Sequence, residues 1–321
     1  MRYSDSVDCC SAAAADRPRS GKEAAMSADI LTTIQSRMNT FSKGQKLIAR
    51  YILESYDKAA FMTASKLGKT VNVSESTVVR FAAELGYDGY PSMQKALQEM
   101  IRNKLTTIQR IEVSNDRIGN QDIVAQVMQS DIEKIRLTIE ETDRTAFDNA
   151  ACAIVQARRI YILGVRSAST IANFISFYFN LLFDNVITVY TNSVSEIYEQ
   201  IMRIGPDDVF IGISFPRYST RTVKAMHFAR RQGARIVAFT DSSESPLARM
   251  ADVTLIAKSD MASFVDSLVA PLSLANALIV AVGRKLNQDL PATFSRLEQV
   301  WAEYDVYETP EREAEEFTQE G

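Results

Sequence analysis

Two segments of this 321-residue chain combine arginine with serine and threonine in a pattern suited to holding an anion. They are residues 164–170 (Gly-Val-Arg-Ser-Ala-Ser-Thr) and residues 214–220 (Ser-Phe-Pro-Arg-Tyr-Ser-Thr). Each follows a short apolar run and leads into a helical pattern. Free N–H groups at a helix N-terminus, hydroxyls and a guanidinium together favour a negative ligand, typically a phosphate. The alternative is that these hydroxyls serve only as helix caps.

A third segment, Thr-Asp-Ser-Ser at residues 240–243, also follows an apolar run and is rich in hydroxyls. No G-x-G-x-x-G follows the first run and no G-x-x-x-x-G-K-[ST] occurs, so neither a dinucleotide fingerprint nor a P-loop is present. The predicted ligand-binding residues are Gly164, Arg166, Ser167, Ser169, Ser214, Arg217, Ser219 and Thr240.

A different chemistry is indicated by residues 73–81, Val-Ser-Glu-Ser-Thr-Val-Val-Arg-Phe. Ser74 is a good N-cap, and a buried helical face is predicted from the spacing of Val78, Phe81, Ala82 and Leu85. A first helix over residues 62–68 and a turn at Asn72, which tolerates a left-handed backbone, precede it. This spacing is typical of a helix-turn-helix that reads the DNA major groove, although a buried two-helix corner has the same pattern.

The distribution of charge indicates that only the N-terminal part of the chain is suited to contact DNA phosphates. The whole chain carries a net charge of −4, but residues 27–110 hold 12 Lys/Arg against 7 Asp/Glu, giving 12 − 7 = +5. Such an excess suits DNA contact by one module, although a solvated helical surface often carries it as well. The predicted DNA-binding residues are Lys66, Ser74, Ser76, Thr77 and Arg80.

Two kinds of element must position these residues. Residues 27–106 have helical periodicity throughout and predict an all-helical bundle of about five helices, with a capping box at Ser42–Gln45. Residues 107–121 are polar and predict a linker, and two amphipathic helices follow over residues 122–141 and 144–157.

From residue 158 onward, short apolar strands alternate with helices. Strands are predicted at 160–163, 186–190, 208–213, 235–239 and 253–256, and helices at 167–183, 195–203, 219–232, 245–250 and 264–286. This alternation predicts an α/β domain with a doubly wound parallel sheet, whose ligands bind at the carboxyl ends of the strands. The predicted divisions are a disordered tail (1–26), the helix-turn-helix domain (27–106), the linker (107–121), the α/β domain (122–290) and a C-terminal tail (291–321).

Composition excludes several classes of site. Cys9 and Cys10 in the tail and Cys152 in a helical pattern lack the spacing of a disulfide framework or a zinc site. The single His227 disfavours a His-ligated metal site and a Ser-His-Asp triad, so we expect no metal and no cofactor. The longest apolar runs, near 171–183 and 268–282, are interrupted by polar residues and fall short of a membrane span. We therefore expect a cytoplasmic protein without membrane contact.

The helix-turn-helix segment, followed by Leu-Gly-Tyr-Asp-Gly-Tyr at residues 85–90, resembles the N-terminal domain of the RpiR family of bacterial transcription regulators. The α/β part is similar to the SIS (sugar isomerase) domain of that family, in particular Thr-Asp at 240–241, Ser-Pro-Leu-Ala at 245–248 and Ala-Asp at 251–252. The resemblance implies a regulator that binds operator DNA as a dimer or tetramer and responds to a phosphorylated sugar or related metabolite.

The sequence departs from the SIS pattern at two places. The usual G-x-G-x-S carries Arg166 and Ala168 in place of the second glycine and the serine, and the usual S-x-S-G-x-T carries Pro216 and Arg217 in its centre. Two arginines facing one cleft would suit a more acidic ligand, such as a phosphorylated sugar acid or a dicarboxylate.

The rival interpretation is an aldose–ketose sugar-phosphate isomerase with an added helical domain. That chemistry needs a general base, for which Glu196 and Glu199 are candidates, whereas we expect a structural role for His227 in the middle of a helix. A third interpretation, an oligomerisation scaffold, explains neither the helix-turn-helix nor the arginine-bearing segments.

Overall fold

The computed structural model describes residues 30–102, 106–111, 122–190, 193–259, 265–286 and 290–307. The predicted N-terminal tail and the acidic residues 309–321 lie outside these ranges, as do residues 112–121 of the predicted linker. The described residues form an all-helical unit followed by an α/β unit, which confirms the predicted fold class.

The N-terminal unit is a helical bundle, as predicted. Its helices are α1 (Ile30–Ser36), α2 (Lys43–Glu54), α3 (Tyr56–Ala59), α4 (Ala64–Thr70), α5 (Glu75–Glu84) and α6 (Tyr90–Arg102). Helix α4 begins and ends two residues later than predicted. Buried side chains from all six helices form one core, in which the rings of Phe41 and Phe81 meet edge to face at 5.1 Å between centroids.

Side-chain caps fix where these helices begin. The capping box predicted at the start of α2 is present, since the Gln45 N–H donates to the Ser42 hydroxyl and the Ser42 N–H donates to Gln45 Oε1 at 2.9 Å. Thr63 caps α4 and Ser74 caps α5, and in each the side-chain hydroxyl accepts a backbone N–H of the first turn.

The second unit opens with α7 (Ile123–Glu141) and α8 (Arg144–Gln156) and continues as a five-stranded, all-parallel sheet of order β2-β1-β3-β4-β5. The strands are β1 (Ile160–Gly164), β2 (Val186–Thr188), β3 (Val209–Ile213), β4 (Arg235–Thr240) and β5 (Val253–Ile256). The remaining helices are α9 (Ala168–Leu182), α10 (Val194–Ile201), α11 (Thr220–Arg231), α12 (Val269–Lys285) and α13 (Leu290–Glu303), with a short 3-10 helix at Ala248–Met250.

Helices cover both faces of the sheet, as the alternating pattern predicts. Ile160 and Ile162 of β1 join a core with α8, α9 and α12, whereas Tyr161 and Leu163 point to the opposite core with α10 and α11. Alternate side chains of one strand thus serve two cores, which is why the strands read as continuous apolar runs.

Besides the shift of α4, the largest differences from the sequence predictions lie at α12, at α13 and in the predicted linker. Helix α12 begins at Val269 and not at residue 264, because Leu268 already has a non-helical backbone and Pro271 fits only in a first turn, where no N–H is needed. Helix α13 occupies the start of the predicted C-terminal tail, and residues 107–111 of the predicted linker are helical. Within the described ranges, no helix has the length and apolarity needed to cross a bilayer.

Candidate functional site

Helices α4 and α5 are joined by a turn that brings them unusually close. Asn72 has a φ of +56°, the left-handed backbone predicted for it, and the Val73 N–H donates to the Gly68 carbonyl at 2.8 Å. A Cβ on Gly68 would stand 2.9 Å from the Val73 carbonyl oxygen. The absence of a side chain at Gly68 therefore permits this close approach of the backbone.

The outer face of α5 carries the predicted DNA-binding residues. Ser76 and Arg80 are exposed and Thr77 is partly exposed, while Val78, Phe81 and Ala82 hold the opposite face in the core. Arg80 Nε donates to the Ser76 carbonyl at 3.3 Å, which keeps the guanidinium along the helix surface. Lys66 is exposed on α4. The exposed surface of α5 thus combines one cation with small hydroxyl groups.

Ser74 has a structural task in addition to any contact with DNA. Its hydroxyl accepts the Thr77 N–H at 3.3 Å and lies 2.9 Å from the Ser76 hydroxyl and 2.8 Å from the Thr77 hydroxyl. Three hydroxyls therefore form one cluster at the N-terminus of α5, the end that enters the major groove in helix-turn-helix proteins.

Val79 was not predicted as a site residue, yet it is 42% exposed on the same surface as Ser76 and Arg80. An exposed apolar side chain there is suited to contact a thymine methyl group. Its exposure could have been predicted from the sequence, because Val79 lies outside the helical spacing of the residues that form the buried face of α5.

The three hydroxyl-rich segments meet at the carboxyl edge of the sheet. Gly164 at the end of β1 pairs with Ile213 at the end of β3, and Ile213 pairs with Phe239 of β4. The segments that follow these three strands consequently lie side by side, which is where parallel sheets bind ligands.

Arg166 and Arg217 both have left-handed backbones, with φ of +60° and +66°. They occupy the two positions at which the SIS pattern has glycine. A residue with a side chain pays a conformational cost in this region, and such strain persists where the surroundings enforce it, often at binding sites. Both side chains are exposed.

Several predicted ligand-binding residues make hydrogen bonds to the protein itself. The Ser214 hydroxyl accepts the Ser219 N–H at 3.0 Å, the Ser219 hydroxyl caps α11 through the Thr222 N–H, and the Ser169 hydroxyl donates to the Arg166 carbonyl at 2.5 Å. Thr240 is fully buried and contacts the Asp241 carboxylate at 3.4 Å. These hydroxyls shape the segments from within.

Gly164 has a similar structural part, since a Cβ there would come within 2.3 Å of the Ala168 carbonyl oxygen. The side chains exposed at this edge are those of Arg166, Arg217 and Ser167. The Ser167 side chain makes no capping bond at the start of α9. Helix α9 has no acidic residue in its first turn, so its N-terminal N–H groups add to a positive potential. This arrangement is suited to an anion.

The candidate bases of an isomerase lie elsewhere or are engaged. Glu196 Oε2 accepts the Ser193 N–H at 3.3 Å in the capping box of α10. Glu199 lines a cavity of about 450 Å³ with Arg159 and Asp184, which precede β1 and β2 at the opposite edge of the sheet. His227 is exposed on α11. Among the described residues, no group of three or more His, Cys, Asp or Glu could hold a metal ion.

Comparison with known proteins adds two family matches. Residues 28–104 match the helix-turn-helix domain of the rpiR family, and residues 153–281 match the SIS domain. The HTH-type transcriptional regulator HexR of Pseudomonas aeruginosa is 24% identical over 278 residues, which cover 84% of this chain and 95% of HexR.

Two solved structures share the fold. The Vibrio vulnificus NanR protein complexed with ManNAc-6P has a TM-score of 0.54 at 21% identity, covering 86% of this chain and 98% of NanR. The sugar isomerase domain of an RpiR transcription factor from Sphaerobacter thermophilus has a TM-score of 0.52 at 26% identity, covering 56% of this chain and 99% of that domain. The chain therefore belongs to the RpiR family of transcriptional regulators, in which a helix-turn-helix domain precedes a SIS domain.

Proposed function

We propose that this regulator binds operator DNA through α5 and that an anionic metabolite, a phosphorylated sugar or sugar acid, controls that binding from the carboxyl edge of the sheet. The observation that carries the proposal is the pair of left-handed arginines, Arg166 and Arg217, on adjacent segments beside the N-terminus of α9. The ManNAc-6P in the NanR complex supports a phosphosugar as the class of ligand.

The DNA-binding part rests on Arg80 and Ser76, which are exposed on α5, and on the partly exposed Thr77. An arginine that contacts a guanine in bidentate fashion is worth about 1–3 kcal/mol of discrimination. Fluorescence anisotropy with the promoter region of the protein's own gene tests this role. Arg80→Ala is expected to weaken binding about tenfold or more, while Arg249→Ala, which removes an exposed arginine of the α/β unit, leaves it unchanged.

The ligand part is tested by calorimetry with glucose 6-phosphate and 6-phosphogluconate. Both have six carbons and a phosphate at C6, but the first is mainly a closed ring, whereas the second is an open chain with a carboxylate at C1. Two arginines favour the more acidic compound, so 6-phosphogluconate is expected to bind more tightly. Arg166→Ala and Arg217→Ala are each expected to weaken its binding at least tenfold. Binding that is indifferent to both substitutions would remove this site from the proposal.

We further propose that the protein works as a dimer or tetramer. Helix-turn-helix proteins commonly bind two half-sites about 34 Å apart as symmetric dimers. An exposed apolar stripe on α7, formed by Val124, Met128, Ile132 and Ile139, supports self-association because each of these side chains is more than half exposed. Sedimentation equilibrium of the full chain tests the oligomeric state, and a monomer would contradict it.

A further inference from the structure

One short element touches both units of the protein. The linker turn, defined here as residues 106–111, begins with a capping box, since the Thr106 N–H donates to Gln109 Oε1 at 3.0 Å and the Gln109 N–H donates to the Thr106 hydroxyl at 3.3 Å. The two reciprocal bonds fix the conformation of the turn and the direction of the Gln109 side chain. The linker turn is therefore an ordered element.

The linker turn is attached to the DNA-binding unit on one side. The other end of the Gln109 amide, Nε2, donates to Asp57 Oδ2 of α3 at 3.4 Å. Because the same side chain caps the linker turn, a displacement of the turn must either carry α3 with it or break this bond.

On the other side, the linker turn is anchored in the α/β unit by a buried ion pair. Arg110 is only 2% exposed, and its Nη1 lies 2.8 Å from Asp266 Oδ1 in the segment between β5 and α12. A buried guanidinium that lost this carboxylate would be left in a poorly solvated place, which makes the pair a strong constraint on the position of the turn.

The third contact leads to the ligand site. Arg217 Nη1 donates to the Thr107 hydroxyl at 3.3 Å, so a predicted ligand-binding arginine reaches the linker turn across 110 residues of sequence. The bond to Thr107 has a charged donor but a neutral acceptor, whereas a phosphate or carboxylate also carries the opposite charge and can accept two guanidinium N–H groups at once. An anion that binds Arg217 through Nη1 would therefore compete with the Thr107 hydroxyl for this donor.

We propose that the linker turn is the latch between the two units: Arg217 holds Thr107 in the ligand-free protein, and an anion that takes Arg217 releases the turn and changes the placement of the DNA-binding unit. The latch rests on the proposed ligand site. Coupling of this kind is reciprocal, so loosening the turn must also alter the affinity for the anion.

The test uses the full chain, 6-phosphogluconate as the probe, and two variants. Thr107→Val removes the hydroxyl at nearly constant shape, and with it the bond that Arg217 donates, and is expected to tighten 6-phosphogluconate binding at least threefold by calorimetry. Asp266→Asn weakens the anchor of Arg110 and is expected to bring the DNA affinities measured with and without 6-phosphogluconate to within twofold of each other. Asp148→Asn, which breaks the Lys285–Asp148 pair of 2.7 Å away from the linker turn, is the matched control and leaves both quantities within twofold of the wild type.

Hydrogen exchange of the wild type supplies a second readout that needs no variant to fold. The peptide covering residues 106–111 is expected to exchange at least threefold faster when 6-phosphogluconate is bound. If the wild type binds the probe and responds to it, but exchange is unchanged and Thr107→Val binds as the wild type does, the latch is wrong while the proposed function stands. If neither 6-phosphogluconate, glucose 6-phosphate nor inorganic phosphate binds the wild type, the ligand site is wrong and the latch falls with it.

Discussion

Arg166 and Arg217 adopt a backbone that glycine reaches without steric cost. For a residue with a Cβ, the left-handed conformation is disfavoured by roughly 1–2 kcal/mol. The surrounding segments enforce it here, since Ser169 bonds to the Arg166 carbonyl and Ser214 bonds to the Ser219 N–H beside Arg217. The two left-handed backbones lie at the carboxyl edge of the sheet and carry a cation each.

Arg217→Gly separates strain from charge. Relief of the left-handed backbone gains roughly 1–2 kcal/mol, and the greater freedom of glycine in the unfolded chain costs roughly 0.5–1 kcal/mol, so stability is expected to stay level or rise by about 1 kcal/mol. Binding of 6-phosphogluconate is expected to fall at least tenfold. Arg217→Ala, which keeps the strain and loses the charge, should show the same loss of affinity without the gain in the free energy of unfolding. A large destabilisation by Arg217→Gly with unchanged binding would contradict this assignment.

Tyr90 gives the helical unit a sensitivity to alkaline pH. Burial raises the pKa of its phenol from 10.0 to about 12, and its hydroxyl donates to the Met62 carbonyl at 2.6 Å. Because the pKa is raised in the folded state, the folded protein keeps the phenol proton to a higher pH than the unfolded chain does. The contribution of this phenol to the free energy of unfolding is therefore complete below pH 10 and is lost between pH 10 and 12.

Urea unfolding at pH 9 and pH 11 measures this effect, with Tyr90→Phe as the reference. The stability advantage of the wild type over Tyr90→Phe is expected to shrink by about 1 kcal/mol from pH 9 to pH 11. An advantage that stays constant over this interval would show that the phenol titrates alike in the folded and unfolded states.

The α4–turn–α5 element depends on close backbone approach at Gly68. Gly68→Ala would place a methyl group 2.9 Å from the Val73 carbonyl, and we expect a loss of about 1–3 kcal/mol together with weaker DNA binding, because α5 must move. Gly44→Ala is the matched control. It is the same change in α2, where the new methyl group would meet only side chains at 3.4 Å or more.

Chemical denaturation monitored by circular dichroism distinguishes the two alanine variants. Gly44→Ala is expected to be neutral or slightly stabilising, since alanine favours a helix over glycine by up to about 1 kcal/mol. Equal effects of the two substitutions would mean that α4 and α5 are not held by the contact at Gly68.

Elements with strong local signals were predictable from sequence. Ser74 and Asn72 fix the start of α5 and the turn before it through cap and backbone preferences that act within a few residues. The strands were evident because each is apolar on both faces. Helix α13 is not among the predicted helices, although Phe294, Leu297 and Trp301 recur at helical spacing, because the polar residues around it are typical of a tail.

The arrangement of the candidate site was predictable only in part. That the segments after β1, β3 and β4 lie together follows from parallel topology, and it was expected. Which hydroxyls face outward could not be predicted, because the hydrogen-bond partners of Ser214 and Ser219 come near them only in the folded turn. The contact of Arg110 with Asp266 spans 156 residues, and no local pattern encodes it.

The whole molecule thus joins a surface suited to DNA with a cleft suited to an anion, through the linker turn that contacts both units. A ligand can act on DNA binding only by its difference in affinity for the two arrangements of the units. Coupling between two sites typically amounts to a 5- to 150-fold change in affinity.

The most direct measurement is the affinity of the full chain for a labelled promoter fragment, by fluorescence anisotropy, with and without saturating 6-phosphogluconate at fixed salt. We expect at least a fivefold change in the dissociation constant for DNA. Arg217→Ala, which lacks the bond to Thr107, is expected to bind DNA without the ligand as the ligand-bound wild type does, and to show no further change when 6-phosphogluconate is added. An unchanged DNA affinity, at a concentration at which calorimetry shows the ligand site to be filled, would contradict the account.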